Sequence, residues 1–317
     1  MRRILYLLTA LLLLGVAPRA TAQDNSQAQT AKKKPATKAQ HHADEAKEAE
    51  ATPPEHLMAT PPPVLVMHTE EIKMGKAMQY EDLSAKYAAL FGKLKPEFHY
   101  IGMYSMSGPS RAVYLVPFGS LADMSSTMQA VFGQETPGSE LARLDAETAN
   151  TNEEARDAVF LLRPDLSYEP GVDISKLRYF AVETFRVRPG HDREFDEGGK
   201  LFQDAYKKSG IEAHYAIFQA LYGAPEGTYL IFEPIASLAD VDKEFSQMGA
   251  LMGAMGDGAK RLDEISSSAI NSDQSDLYGI DPHISNPPEG WAKADPGFWR
   301  PKPTKPAAAK EEKPKAQ

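Results

Sequence analysis

The 317-residue chain contains no cysteine. Disulfide staples and a lipid-modified cysteine anchor are therefore excluded, and stability has to come from packed cores. Tryptophan is scarce: Trp291 and Trp299 are the only two, both near the C-terminus. There is no P-loop, no GxGxxG behind a strand, no HExxH and no GxSxG, so common signatures of nucleotide binding, zinc proteolysis and serine hydrolysis are missing. Basic residues are short over the central region: residues 64–300 carry 22 Lys and Arg against 36 Asp and Glu, a net charge of −14. A nucleic-acid partner calls for the opposite sign.

Long apolar runs are also missing, with one exception. The chain opens MRRILYLLTALLLLGVAPRATAQ. Two arginines, a short apolar core and Ala20-Thr21-Ala22 form the pattern of a secretory signal peptide over 1–22, cleaved after Ala22. The core is too short for a membrane span. The expected location is periplasmic or secreted. Residues 23–63 and the end of 287–317 are rich in Ala, Lys, Pro and Glu, without apolar period. They read as a disordered linker and tail, because they offer little apolar surface against the entropy of ordering. His41-His42 lies in that linker.

What the chain does have is repetition. Residues 118–124 read FGSLADM and 235–241 read IASLADV. His99-Tyr100 and His214-Tyr215 match at an offset of 115, as do Gly75 and Gly190. Pro164 and Ser167 match Pro282 and Ser285 at an offset of 118. The offset changes in a turn and within a helix, where a fold tolerates insertion. The reading is a duplicated unit: 64–168, a linker at 169–177, then 178–286.

Each unit spells the same order of elements. Residues 64–72 and 179–187 alternate and are rich in β-branched and aromatic residues, as strands are. A Gly follows, then a helix whose apolar residues recur at i, i+3, i+4 and i+7, including Tyr80, Leu83, Tyr87 and Leu90 in the first unit. Residues 98–106 with 112–117, and 213–221 with 229–234, form hairpins. Ser120 and Ser237 sit where a helix N-cap belongs, which makes Ser-Leu-Ala-Asp a helix start. Strands at 158–164 and 276–282 close the units. The fold class is α+β: two tandem ferredoxin-like βαββαβ units whose antiparallel sheets cover each other.

On these residues the sequence resembles the dimeric α/β-barrel superfamily. The NIPSNAP and antibiotic-biosynthesis-monooxygenase type is the nearest in pattern. The strand–Gly–helix opening at 187–197 and the hairpin ending in Pro117 or Pro234 before Ser-Leu-Ala-Asp carry the resemblance. It implies that the two sheets form a closed barrel with helices outside. The superfamily holds cofactor-free monooxygenases, haem-degrading enzymes, chlorite-dismutase-like haem proteins and isomerases, so the fold does not decide the function.

The candidate residues follow. His99 and His214 are candidate bases on the second strands. Tyr100, Tyr104, Met103, Tyr215 and Phe218, with His68 and Glu183, are candidates for lining a pocket between sheet and helices. His68 in one unit is replaced by Glu183 in the other, and Glu70 by Phe185, which fits either one active and one inactive pocket or drift on a solvent-facing edge. Met248, Met252 and Met255 read either as a thioether stripe for Cu(I) or as core, with Gly249 and Gly253 giving close helix packing. No metal site is assigned and no cofactor is called for, with haem and copper left open. The Asn-Trp-His set of a haem-degrading pocket is missing. Three functions compete: a module binding a small apolar or aromatic molecule, a cofactor-independent monooxygenase or isomerase, and a non-catalytic envelope scaffold. Internal pairing makes a monomer the default, with a dimer as the alternative.

Overall fold

The computed structural model describes residues 60–94, 97–132 and 138–300. The expected signal peptide, most of the linker, His41-His42 and the tail from 301 lie outside them. The first half runs β1 (Val64–Ile72), α1 (Ala77–Leu94), β2 (Ile101–Ser105), β3 (Arg111–Phe118), α2 (Leu121–Phe132), α3 (Gly138–Thr148) and β4 (Asn152–Leu162). The second repeats the order: β5 (Tyr179–Val187), α4 (Asp192–Ser209), β6 (Ala216–Tyr222), β7 (Thr228–Ile235), α5 (Leu238–Met255), α6 (Gly258–Ala269) and β8 (Ile270–Ile280). Two short helices, α7 (Glu289–Ala294) and α8 (Pro296–Trp299), follow. No helix among the described residues is long and apolar enough to cross a membrane.

The eight strands form one closed antiparallel barrel in the order β1-β3-β2-β8-β5-β7-β6-β4. Each half contributes a four-stranded sheet, and the seams are β2–β8 and β4–β6. Closure removes the exposed edges that two open sheets would present. Alternation along the strands sends one set of side chains inward, where Leu65, Met103, Leu115, Phe160, Phe180, Phe218, Phe232 and Ile280 share a core. The opposite set lies under the helices, with Phe185, Ile217 and Tyr229 against α4 to α6 and Val66, Tyr100 and Val116 in the first half.

The repeated phrases now have local causes. Ser120 caps α2 by accepting the Asp123 N–H at 3.0 Å, while Asp123 accepts the Gly119 N–H at 2.8 Å. At α5 the Ser237 N–H donates to Asp240 Oδ2 at 2.8 Å. Each is a hydroxyl–carboxylate pair satisfying free N–H groups at a helix start.

The Pro-x-x-Ser repeat is a reciprocal staple across the seams. The Gly102 N–H on β2 donates to Ser285 Oγ at 2.9 Å, and the Asp281 N–H donates to Gly102 O at 3.0 Å. In mirror fashion the Ile217 N–H on β6 donates to Ser167 Oγ at 2.9 Å, and the Arg163 N–H donates to Ile217 O at 2.7 Å. The end of each half therefore finishes the second strand of the other. Both bonds from the strand amides are buried. Removing either hydroxyl strands an amide without a partner, which costs about 1–3 kcal/mol. Ser167→Ala and Ser285→Ala are each expected to lose about that much in urea denaturation, and no loss in one of them would show that its staple is idle.

Three features differ from the sequence reading. β4 and β8 begin about six residues early, at Asn152 and Ile270. Their polar first halves give no apolar signal, yet they pair with β1 and β5. The second helix of each half is split; in the second half the break is at Gly256, whose φ is +57°. Gly249 and Gly253 have open space where a Cβ would stand, so they do not mediate close packing. Glycine in a helix interior costs roughly 0.5–1 kcal/mol relative to alanine. Gly249→Ala and Gly253→Ala are therefore expected to raise stability by that amount each, read as a higher unfolding midpoint. A fall in the midpoint would mean that the glycines meet something after all.

Residues 287–300 fold back across the barrel end at which β1 and β5 begin. Trp291, Ala292 and Trp299 join the inward core there. The Trp299 indole N–H donates to Ser175 O at 2.9 Å, and the Arg178 guanidinium lies 3.9 Å from the centre of the Phe298 ring while pairing with Asp295. The two tryptophans are thus the plug of the barrel base.

Candidate functional site

Strand parity divides the residues expected to share one pocket. Met103 and Phe218 point into the lumen and are 0% and 3% exposed. Tyr100, Tyr104, Tyr215, His68 and Glu183 are on the outward faces, beneath the helices: Tyr100 beside Phe91 and Phe98, Tyr104 edge-on to Tyr80, Tyr215 stacked on Tyr168. A single pocket holding all of them is ruled out by the period of two.

His99 and His214 serve the staples. His99 Nδ1 lies 3.3 Å from Asn286 O, and His214 Nδ1 lies 2.7 Å from Glu169 O. A carbonyl only accepts, so Nδ1 carries the proton in both rings. The neighbouring Tyr100 and Tyr215 exchange backbone bonds with Asn286 and Tyr168. The repeated His-Tyr pair thus binds the start of a strand to the crossing segment of the other half. His214 keeps Nε2 free of the staple, 3.5 Å from Glu212.

In the first half, His68 is clamped by Asp157 at 2.9 Å and Glu70 at 3.4 Å. Glu70 also accepts from Asn152 at 3.0 Å and from the Tyr80 hydroxyl. Tyr80 and Tyr114 hydroxyls are 3.0 Å apart, and Tyr114 donates to Ser84 at 3.1 Å. Burial alone would lower the His68 pKa, but the two carboxylates outweigh it and raise it to about 9. Burial would raise Glu70, and His68 and Tyr80 reverse that to a net lowering. At neutral pH His68 is an imidazolium, an acid rather than a base. The chain Glu70–Tyr80–Tyr114–Ser84 leads from it into the sheet–helix layer, where the Tyr104 hydroxyl is buried without a partner.

The second half holds acids where the first holds this relay. Glu183 occupies on β5 the ladder position of His68 on β1, and it accepts from Ser275 as His68 bonds Asp157. It is 4% exposed, so the exchange is not drift on a solvent-facing edge. Burial, then the charges of Asp273 and Asp276, push its pKa up to about 7. Glu233 on β7 is pushed up to about 8 by burial and by Glu244 and Glu183, and burial raises Glu244 on α5 as well. Glu233, Glu244, His214 and Tyr206 border a half-open cavity of about 20 Å³. Sequence reasoning missed Glu233 and Glu244. The signal was there for the first, since Tyr229, Ile231 and Glu233 alternate on one face. A neighbouring apolar space of about 50 Å³ lies between β5 to β8 and α4 and α6.

The largest of the three spaces is in the lumen. A cavity of about 80 Å³ sits at the barrel base, lined from both halves. Its walls are apolar side chains throughout: Leu65 and Phe180, Ile101 and Ala216, Leu115 and Phe232, Pro117 and Pro234 enter in equivalent pairs, with Phe218. Pro61, Pro62, Pro170, Val172 and Ile174 border its mouth. Pro61 and Pro62 belong to the stretch expected as linker.

No formed site for haem or copper is found among the described residues. The sheet–helix spaces, about 20 and 50 Å³, are far below the roughly 300–1,000 Å³ of sites for larger molecules. Met248, Met252 and Met255 pack into the second-half core. Among the described residues no three His, Asp or Glu side chains are grouped to hold a metal ion.

No family profile and no curated protein matches the sequence. Solved structures do align. A candidate monooxygenase from Lactobacillus acidophilus NCFM is 9% identical with a TM-score of 0.44, covering 68% of this chain and 93% of its own. An anthrone oxidase-like protein is 11% identical at 0.44, covering 68% and 90%. A mutant chlorite dismutase from Candidatus Nitrospira defluvii, in complex with cyanide, is 11% identical at 0.44, covering 73% and 95%. The architecture rests on the strand order itself: an α+β protein with a closed eight-stranded antiparallel barrel, each half of it ferredoxin-like in its order of elements.

Proposed function

We propose that this is an exported binding protein, descended by duplication from a NIPSNAP-like or antibiotic-monooxygenase-like unit, that holds a small apolar molecule in the base of its barrel. One observation carries the reading: a cavity of about 80 Å³ walled by apolar side chains from both halves and bordered by prolines. Apolar cavities of roughly this order stay dry and take apolar guests, benzene filling one of about 150 Å³. The space here suits the end of an acyl or isoprenoid chain, the remainder leaving past Pro61 and Pro170. The test is calorimetric titration of the mature protein with decanoic acid, beside native mass spectrometry of protein purified from its exporting host. Saturable binding, weakened at least about tenfold in Ala216→Leu, which narrows the cavity, is the expected result; each methylene excluded is worth about 0.8 kcal/mol. No bound mass and no saturable heat up to the solubility limit would sink the proposal.

The relay from His68 through Glu70 and Tyr80 supports a second reading, an acid–base enzyme such as a cofactor-independent monooxygenase or isomerase. It requires turnover that His68→Gln abolishes while leaving decanoate binding intact. Activity that survives in His68→Gln would remove it.

A further inference from the structure

The second-half acids form a site of their own, apart from the lumen. Glu233 stands on β7 facing outward, Glu244 reaches it from α5, and Tyr206 comes from α4; all three border the cavity of about 20 Å³. Two of these groups lack a hydrogen-bond partner among the described residues. Tyr206 is 4% exposed and makes no hydrogen bond through its hydroxyl, although that hydroxyl sits in the field of both carboxyls. Glu244 Oε2 is buried without a partner. Buried polar atoms are nearly always paired, so the orphan Glu244 oxygen beside an unbonded tyrosine hydroxyl indicates a missing donor.

We propose that this cavity seats the ammonium group of a small primary amine, with Glu233, Glu244 and Tyr206 accepting its three N–H bonds. The volume decides the size, since about 10–15 Å³ is one water-sized probe, so the cavity holds one heavy atom and the substituent must lie outside it. Ile211, Met248 and Leu251 border the same opening, which favours an aliphatic or aromatic substituent. The charge requirement comes from the acids. Burial holds both acids towards the neutral form, helped at Glu233 by the charges of Glu244 and Glu183 and at Glu244 by that of Asp240, and a cation between them reverses that penalty. The charge of Lys243, next to Glu244 on α5, offsets only part of this. His214 and Glu212 lie at the cavity edge and pair with each other. A metal ion is disfavoured because no three acid or imidazole groups among the described residues converge on one point.

The experiment is isothermal titration of the full mature protein with n-butylamine, n-butanol and potassium chloride at pH 7.5, in two buffers of different ionisation enthalpy. Butylamine is expected to bind saturably, with a heat that depends on the buffer because the acids release protons as the cation enters. Butanol and potassium are expected not to bind. Glu244→Gln, Glu233→Gln and Tyr206→Phe should each weaken butylamine by roughly 10- to 100-fold, the loss of one charge-assisted bond. Circular dichroism checks that each variant is folded, and three variants keep the test alive if one is not. Equal binding of butanol, or unchanged butylamine binding in folded Glu244→Gln and Tyr206→Phe, would overturn the proposal. So would no heat with any probe, which would leave the cavity as a water site.

Discussion

Gly102→Ala is expected to lose about 3 kcal/mol or more, and Gly199→Ala almost nothing. A Cβ on Gly102 would stand 2.4 Å from Ile284 O and 2.7 Å from the Ile284 side chain. The carbonyl belongs to the crossing segment that the staples lock to β2, so it cannot retreat without breaking the bonds from Asp281 and Gly102. Overpacking against side chains alone costs roughly 1–3 kcal/mol; backbone on both sides places this case at the upper end. The equivalent site in the second half is arranged the other way round. There β6 carries Ile217, and Leu166 of the crossing segment packs over Gly199 on α4, where a new Cβ would meet a Leu166 methyl at 3.3 Å. A methyl at the end of a side chain can give way, and alanine's helix propensity offsets the contact. Urea midpoints of the two variants are the measurement. A Gly102→Ala variant within about 1 kcal/mol of the parent would mean that the segment at 281–286 is not held tightly.

Glu183→Gln is expected to stabilise the protein at alkaline pH and leave it unchanged near pH 4. Glu183 has its folded pKa raised from 4.5 to about 7. Between those values the folded state binds more protons than the unfolded one, so stability falls as pH rises through that window. At about 1.4 kcal/mol per unit, the buried charge costs on the order of 3 kcal/mol by pH 8. Glutamine keeps the shape and still accepts from Ser275, without the charge. Thermal or urea unfolding from pH 4 to 8 should show the variant ahead by on the order of 2–3 kcal/mol at the upper end. Some slope remains in the variant, because Glu233 is raised as well. Identical pH slopes in the two proteins would show that Glu183 is solvated in solution.

Much of the architecture is legible from local chemistry. The strands at 64–72 and 179–187 announce themselves by alternation, and Ser120 and Ser237 by their acids three residues on. These signals act within a few residues, so they survive without knowledge of the fold. The same holds in reverse for the beginnings of β4 and β8, whose polar residues are strand only because β1 and β5 pair with them. The site was harder. His99-Tyr100 and His214-Tyr215 are visible as a repeat, but their task depends on Asn286 and Glu169, distant in sequence and adjacent only after closure. Placing Met103 in a pocket with Tyr100 and Tyr104 overlooked alternation that was already on view. Glu233 and Glu244 left a weaker trace, since an acid at one outward strand position and another on a polar helix look like ordinary surface until the layers meet. The tryptophans after the second unit marked a departure from one pattern, and only the barrel shows that they close its base.

The reciprocal exchange of chain ends has a consequence for how the molecule assembles. The hairpins β2–β3 and β6–β7 need only short loops to close, whereas the seam β2–β8 joins Met103 to Ile280 across most of the barrel sequence. Distant pairings form late, since loop entropy is lost before their contacts repay it. Until then each half shows two unpaired edges, the same ones a neighbouring chain could occupy. Folding therefore resembles the docking of two subunits on a tether, and the tether, by keeping the proper partner close at hand, is what steers those edges away from strangers.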